Sequence, residues 1–501
     1  MSIVSETWLR AWFTHPYLEF AIYSPQHMKG VDLILERYRD SKISIHMFKF
    51  LKGFDKYYDF DPLYDKWLAI ALYNGVKHLE FAQAKMPSFS PYTFPIYNVL
   101  LSGAAKSLTE LVLENCHLLS SLSTTTIKCH SLEKLTLYEV TLDDNMFHTL
   151  IISCPFIVNF KIEYCIGLTR IELRNLQKIK SVYIATKSDQ RVSIQNTPTL
   201  EYLTYIGLPD HSSMLDIFKC PNVKYIKLVG ETLSHRFLEH LISTSQFLES
   251  LILHHVLLLG SGRLFNICGS QSLKLLKISG CTAGSIGEID VPNLATLEYF
   301  GRGDHIPKLK SFQLKHSSRL CLSCSSHNLN YGWFCKLREF LSKSTTSWSQ
   351  VSLQFNGCGG TQLQQLHHPQ LLHSTCPQVD DLDREIEDST DCLAFMNALL
   401  WSCHPRKFRL HSTIEMITCF IDHLMSSPDD SCNSTCHWRS QLKQVKAYRY
   451  DWQRGFNSLT QMIGRWRQFK WKSEEITSRE VAKANLWEGD YILFLLDWSC
   501  H

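Results

Sequence analysis

Leu108-Thr109-Glu110-Leu111-Val112-Leu113-Glu114-Asn115-Cys116-His117-Leu118 is the stretch that decides the architecture of this chain. It fits the order L-x-x-L-x-L-x-x-N/C-x-L at every fixed position. In a strand, alternate side chains point to opposite faces. Leu111 and Leu113 therefore share one face, while Glu110, Val112 and Glu114 share the other. The shorter core of this pattern, apolar-x-x-apolar-x-apolar, recurs downstream. It starts again at Leu132, Ile157, Ile179, Leu200, Val223, Leu248, Leu273 and Leu294, with gaps of 24, 25, 22, 21, 23, 25, 25 and 21 residues from Leu108 onward. Weaker copies start at Val76 (with Leu79 and Phe81) and Leu309 (with Phe312 and Leu314), and Trp348, Val351 and Leu353 form an isolated one.

Prolines keep the same phase. Pro155, Pro198, Pro221, Pro292 and Pro307 each stand two residues before the first apolar position. Proline lacks an N–H and biases its predecessor away from helix, so it ends a return segment before the next strand. Asn145 to Cys154 and His235 to Ser243 space apolar residues as helices do. Each unit thus reads as a short strand plus a helix or loop. One unit cannot bury its apolar face alone, whereas stacked units share a continuous core. Gaps of this size belong to leucine-rich repeats. The expected fold class is therefore α/β: a leucine-rich-repeat solenoid, a curved parallel sheet with helices and loops outside, followed by an α+β cap. The residues between the fixed apolar ones form a ladder on the concave face. Tyr138, Lys161, Tyr183, Tyr202, Tyr225, Lys227, His254 and Lys277 are its candidate target-binding side chains, since exposed aromatics and cations suit a binding hot spot.

Composition sets the outer limits. The 501 residues are 45% hydrophobic and 20% charged, with a formal net charge of +3, so no charge imbalance demands a nucleic-acid or membrane partner. No apolar run of about 18 residues is present, and MSIVSETWLRAW lacks the apolar core of a signal peptide. The 18 cysteines are scattered. They read as reduced thiols of a cytoplasmic or nuclear protein. Cys321-x-x-Cys324 with Cys335, and Cys432, Cys436 and His437, are the only sets resembling zinc ligands. They lie far apart and lack a second Cys-x-x-Cys pair, so they read as ordinary thiols. His254-His255 and His367-His368 have no helical i, i+4 partner and read as repeat or surface residues. No P-loop, G-x-S-x-G or kinase signature is present. The expectation is a non-catalytic binding protein with no cofactor and no metal.

Residues 5–20, SETWLRAWFTHPYLEF, place Trp8 and Trp12 one helical turn apart, with Pro16 ending the helix. The stretch resembles the final third of a plant F-box: Ser5, Trp8, Trp12, Pro16, Leu18 and Phe20 fall on its pattern, and Ala11 replaces a leucine. Further along, Val31-Asp32, Arg37-Tyr38-Arg39-Asp40-Ser41-Lys42, Trp67, Gly75-Val76-Lys77-His78-Leu79, Leu399 to Pro405 and Gln441 to Ala447 are similar to legume-type F-box/leucine-rich-repeat proteins. The resemblance implies an adaptor. Trp8, Trp12 and Pro16 would dock a Skp1-type subunit, and the repeats would hold an unknown target protein for ubiquitination within an SCF-type ligase. The opening Leu-Pro pair and apolar helix of a full F-box are absent from this sequence. A repeat scaffold without ligase function is the alternative.

The expected organisation is a partial F-box over 1–20, a connector over 21–75, the solenoid over 76–315, an irregular segment and polar linker over 316–390, an FBD-like cap over 391–450 and a divergent tail over 451–501. Asp391–Cys403 and Thr413–Met425 have helical spacing, and Gln441–Tyr450 alternates like a strand. In the tail, Arg465-Trp466-Arg467-Gln468-Phe469-Lys470-Trp471-Lys472 interleaves cations with aromatics, a pattern that can bind single-stranded nucleic acid. With charge nearly balanced and no accompanying motif, it reads instead as an amphipathic segment packed on the cap, or a loose tail.

Overall fold

A computed structural model describes residues 14–53, 61–85, 92–101, 106–118, 129–187, 190–208, 215–230, 232–259, 264–281, 286–303, 306–310, 314, 318–325, 330–344, 348–356, 376–386, 392–412, 420, 438, 441–450, 467–469 and 491–499. The chain divides into two compact units, Met1–Thr232 with Thr244–Leu248, and Leu233–Ser243 with Glu249–His501.

In the first unit, the strands Tyr17–Ile22, Met47–Lys52, His78–Gln83, Glu110–Glu114, Lys134–Tyr138, Asn159–Glu163, Ser181–Ala185, Tyr202–Ile206 and Tyr225–Val229 form one parallel ladder. The register is exact in kind from strand to strand: Leu111 lies beside Leu135, Leu135 beside Phe160, Phe160 beside Val182, and Val182 beside Leu203. These side chains are buried, and their neighbours along each strand are not.

The repeat has a hydrogen-bond signature. The carbonyl just before each strand accepts two amides from the next repeat. Lys77 accepts from Thr109 N at 2.8 Å and Glu110 N at 3.0 Å, and Thr109, Glu133, Val158, Lys180 and Glu201 do the same in turn. At the far end of several strands the chain leaves through a left-handed residue: Asn115 (φ 52), Glu139 (φ 51) and Tyr164 (φ 56). The buried cysteine position of the motif follows, filled by Cys116 and Cys165. Prolines 155 and 198 sit inside the tight turns closed by Ile157 N to Cys154 O (3.4 Å) and Leu200 N to Thr197 O (3.2 Å), where a fixed φ suits the second turn position.

Return segments vary with sequence. Asp144–Ser153 is a helix, capped by the Asp143 carboxylate, which accepts from Met146 N at 2.7 Å. Pro25–Ser41 and Asp61–Tyr73 are also helices, and Trp67 Nε1 donates to Asp32 Oδ1 across them at 2.9 Å. Three other returns hold strands. Arg170–Arg174, Arg191–Gln195 and Leu215–Phe218 pair as a small parallel sheet of their own.

Two expectations about organisation are corrected here. Residues 21–75 are more than a connector, because they supply the helices just named and the strand Met47–Lys52. Pro16, Leu18 and Phe20 also belong to the ladder. The Pro16 carbonyl accepts from His46 N (2.7 Å) and Met47 N (3.1 Å), so it holds the repeat-boundary position. Leu18 is only 8% exposed, and the Phe20 ring lies 6.1 Å from that of Phe48.

The second unit continues the same construction by itself. Ser250–His254, Leu275–Ser279, Thr296–Arg302, Arg319–Ser325, Gln350–Asn356, Gln378–Ile386 and His404–His411 run parallel. Three of these strands lie within 316–390, the stretch expected to be irregular. The copy expected at Leu309 is displaced. Lys308–Leu309 pairs with the outer strand Ile286–Asp290, and Arg319–Ser325 takes the place beside Thr296–Arg302. Behind the ladder, the helix Tyr331–Leu341 is capped by Asn330, which accepts from Trp333 N at 3.0 Å. The Phe334 ring sits 5.4 Å from Phe395 of the helix Cys392–Ser402. The ladder then turns antiparallel. Tyr491–Trp498 lies between His404–His411 and Leu442–Tyr450, and Arg467–Phe469 pairs with the latter. The tail thus contributes two strands to the sheet. Residues 357–375, most of Thr413–Met425, and Arg465, Trp466 and Lys470 to Lys472 lie outside the described residues.

Candidate partner-binding face

The ladder leaves one row of side chains out of the core at every second strand position. In the first unit this open face changes character along the repeats. Its early strands carry paired charges: Lys49 reaches Glu80 at 3.0 Å, and Glu110 is approached by Lys134 at 3.4 Å and by His78 at 3.5 Å. Its later strands carry aromatics. Tyr202 is 49% exposed, and its ring centre lies 6.3 Å from that of Tyr225 on the adjacent strand. Lys161 Nζ stands 5.1 Å from the centre of the Tyr183 ring and 2.9 Å from Glu163. Burial, followed by the nearby Glu163, pushes the Tyr183 phenol above its usual range. Tyr183 lies beside Thr204, and Thr204 beside Lys227. Thus six of the eight candidate residues, Tyr138, Lys161, Tyr183, Tyr202, Tyr225 and Lys227, occupy neighbouring strands of one sheet.

The other two lie on the second unit. His254 Nδ1 is hydrogen-bonded to Ser279 Oγ. Lys277 is paired with Glu298 at 2.6 Å, with the Phe300 ring 5.9 Å away. Both are engaged with neighbours on their own sheet.

Of the candidate adaptor residues, Trp8 and Trp12 lie outside the described residues. Pro16 is placed at the repeat boundary described above.

Sequence reasoning missed the rim where the strands exit. Tyr164 follows its strand with φ 56, a conformation unfavourable for a bulky side chain. Its ring packs 6.2 Å from Tyr138, and Lys187 Nζ lies 5.1 Å from its centre. Glu139, also left-handed, receives Lys85 at 2.8 Å and Lys187 at 2.6 Å. These two hydrogen-bonded ammonium groups hold its carboxyl below the usual range. Lys85, Glu139 and Lys187 are 54 and 48 residues apart, so no local pattern announces the cluster.

The cysteines follow from the fold. Cys321 and Cys324 share the strand Arg319–Ser325 but lie on opposite faces, since Cys324 is buried and Cys321 pairs in register with Ser352 on the open side. Two thiols pointing apart cannot close on one ion. Cys432, Cys436 and His437 lie outside the described residues. Burial pushes the Cys165 thiol up to about 12 and Cys281 up to about 11.

Residues 34–257 match the family model described as At1g61320/AtMIF1, LRR domain. The chain has a leucine-rich-repeat fold. The match opens at residue 34, inside the expected connector, in keeping with the strand Met47–Lys52. No curated protein matches the chain. Leucine-rich repeats generally serve as non-catalytic scaffolds that bind proteins on an extended sheet surface. No helix among the described residues of this leucine-rich-repeat protein is long and apolar enough to cross a membrane.

Proposed function

We propose that this leucine-rich-repeat protein is the target-holding subunit of an SCF-type ubiquitin ligase. The open face of its first unit receives the target, and the segment containing Trp8 and Trp12 docks a Skp1-type adaptor. The tyrosine and lysine rows of Asn159–Glu163 to Tyr225–Val229 carry the target-holding part of this reading. They present aromatic area and cations on a rigid sheet, where little conformational entropy is lost on binding. The adaptor part rests on the resemblance of residues 5–20 to an F-box. Co-purification of the full chain with a Skp1-type protein, abolished by Trp12→Ala, is the expected result. Absence of the adaptor from the purified complex would sink the ligase reading.

One observation favours a second reading, a repeat scaffold without ligase function. Pro16, Leu18 and Phe20, half of the matched F-box positions, are already used by the first strand of the ladder. On that reading the chain captures its target with unchanged affinity when Trp8 and Trp12 are both replaced, and target lifetime does not respond to the chain.

A further inference from the structure

Charge pairing on the open face of the first unit is nearly complete, and the exceptions are one residue on the fourth strand of the ladder and one on the ninth. Lys49, Lys134 and Lys161 each meet a carboxylate there, and Lys85 and Lys187 meet Glu139 at the rim. Among the described residues, Glu114 and Lys227 are the two open-face charges of this stretch that have no ion-pair partner. Glu114 stands half-buried between Ala82 and Tyr138 in register. Burial first, then the nearby Glu80 and Glu139, raise its carboxyl above the usual range against a smaller opposing pull from Lys49. Lys227 stands beside Thr204, next to the Tyr202–Tyr225 pair.

Six consecutive ladder strands run from Glu110–Glu114 to Tyr225–Val229, giving five spacings. At about 4.8 Å per spacing, the two charges are separated by about 24 Å across the sheet. An extended peptide covers that distance in roughly seven residues. The tyrosines lie between the two charges and offer stacking surface and hydroxyl groups.

We infer that the open face of the first unit takes an extended peptide segment of a partner protein, laid across the strands, with a cationic end at Glu114 and a carboxylate-bearing end at Lys227. This rests on the target-holding reading above and adds the polarity and length of the occupant. Such a segment completes both missing ion pairs, whereas a uniformly acidic or basic one meets a like charge at one side, a repulsive arrangement across an interface.

The test is selection on the full chain from a display library of random peptides about twenty residues long. The expected winners carry a basic and an acidic residue about seven positions apart, with an apolar or aromatic residue between. Glu114→Lys and Lys227→Glu should each weaken a winning peptide roughly tenfold or more. The double reversal should restore affinity for the peptide with its charges exchanged. Circular dichroism melting of each variant checks that the fold is intact. Winners of one charge sign, winners with a basic-to-acidic spacing near sixteen as a helix would show, or indifference to both reversals overturn the inference. If binding is indifferent to charge but lost with Tyr202→Ala, the target-holding reading stands without this inference. Failure of any peptide to be enriched, or binding that survives both the reversals and Tyr202→Ala, overturns both.

Discussion

Lys161 sits 5.1 Å from the centre of the Tyr183 ring one strand away, while Glu163 on its own strand holds the same ammonium at 2.9 Å. A cation fixed over an aromatic face at an exposed site contributes about 0.5–1 kcal/mol. That is too little to explain the arrangement by stability. Lys161→Ala and Tyr183→Ala should each shift unfolding by no more than about 1 kcal/mol, while weakening target binding by ~1–2 kcal/mol. Chemical denaturation and a binding titration on the same preparations separate the two effects. A large loss of stability with unchanged affinity would refute the assignment of this pair to the binding face.

The core row behaves in the opposite sense. Leu111 and Leu203 are fully buried in the ladder. Replacing either by Ala should cost about 2–5 kcal/mol, because the lost transfer energy is joined by an unfilled cavity. Tyr202→Ala, on the other face, should cost about 0.5 kcal/mol or less. Urea midpoints of the three variants give the ranking.

Gly167 has φ +91, and a Cβ built there would stand 2.7 Å from the Leu142 carbonyl oxygen. Both the backbone angle and the close approach exclude a side chain. Gly167→Ala should therefore destabilise the chain by about 1–3 kcal/mol, read as a lower melting temperature. A neutral result would mean that the turn after Asn159–Glu163 is free to rearrange.

The Glu139 cluster makes a prediction about pH. Its carboxyl is held low by hydrogen bonds from Lys187 and then Lys85. A carboxyl whose folded pKa is depressed binds fewer protons folded than unfolded. Its stabilising contribution is complete above the unfolded value of about 4.3 and is lost as pH falls through the lower folded value. Glu139→Gln should thus lose stability at neutral pH and show a shallower acid decline than the parent. Lys85 is largely exposed, so Lys85→Ala should change stability far less than Glu139→Gln does. Melting curves from pH 7 down to pH 3 test all three statements.

The thiols supply a further check. Cys268 is exposed, whereas Cys116, Cys165 and Cys281 sit in or near the core with their thiols pushed up by burial. A thiol reagent at neutral pH should label Cys268 in the native chain and reach the other three only after unfolding. Mass mapping of early adducts decides the order.

Much of the fold was legible because leucines recur where successive strands need them. Leu108 to Leu118 names the strand, its exit and the buried cysteine in one stretch. The earliest repeats were hidden for two reasons. Phe48 and Phe50 replace leucine, and long helical returns such as Pro25–Ser41 stretch the period. The open-face rows could be phased from alternation alone. The rim could not, since Tyr164 and Glu139 are placed by a left-handed exit that local residue type does not encode, and Lys85 and Lys187 arrive from distant repeats.

The position of Tyr491–Trp498 has a consequence for synthesis. This strand sits between His404–His411 and Leu442–Tyr450, although it follows both in the chain. Until it emerges, the hydrogen-bonding edge of His404–His411 lacks the strand that covers it in the folded chain. At ordinary translation rates of about 5–20 residues per second, that edge stays bare for roughly 4–17 seconds on the ribosome. An open strand edge templates pairing with other chains. Nascent chains halted within this window should therefore be the ones that aggregate or recruit chaperones.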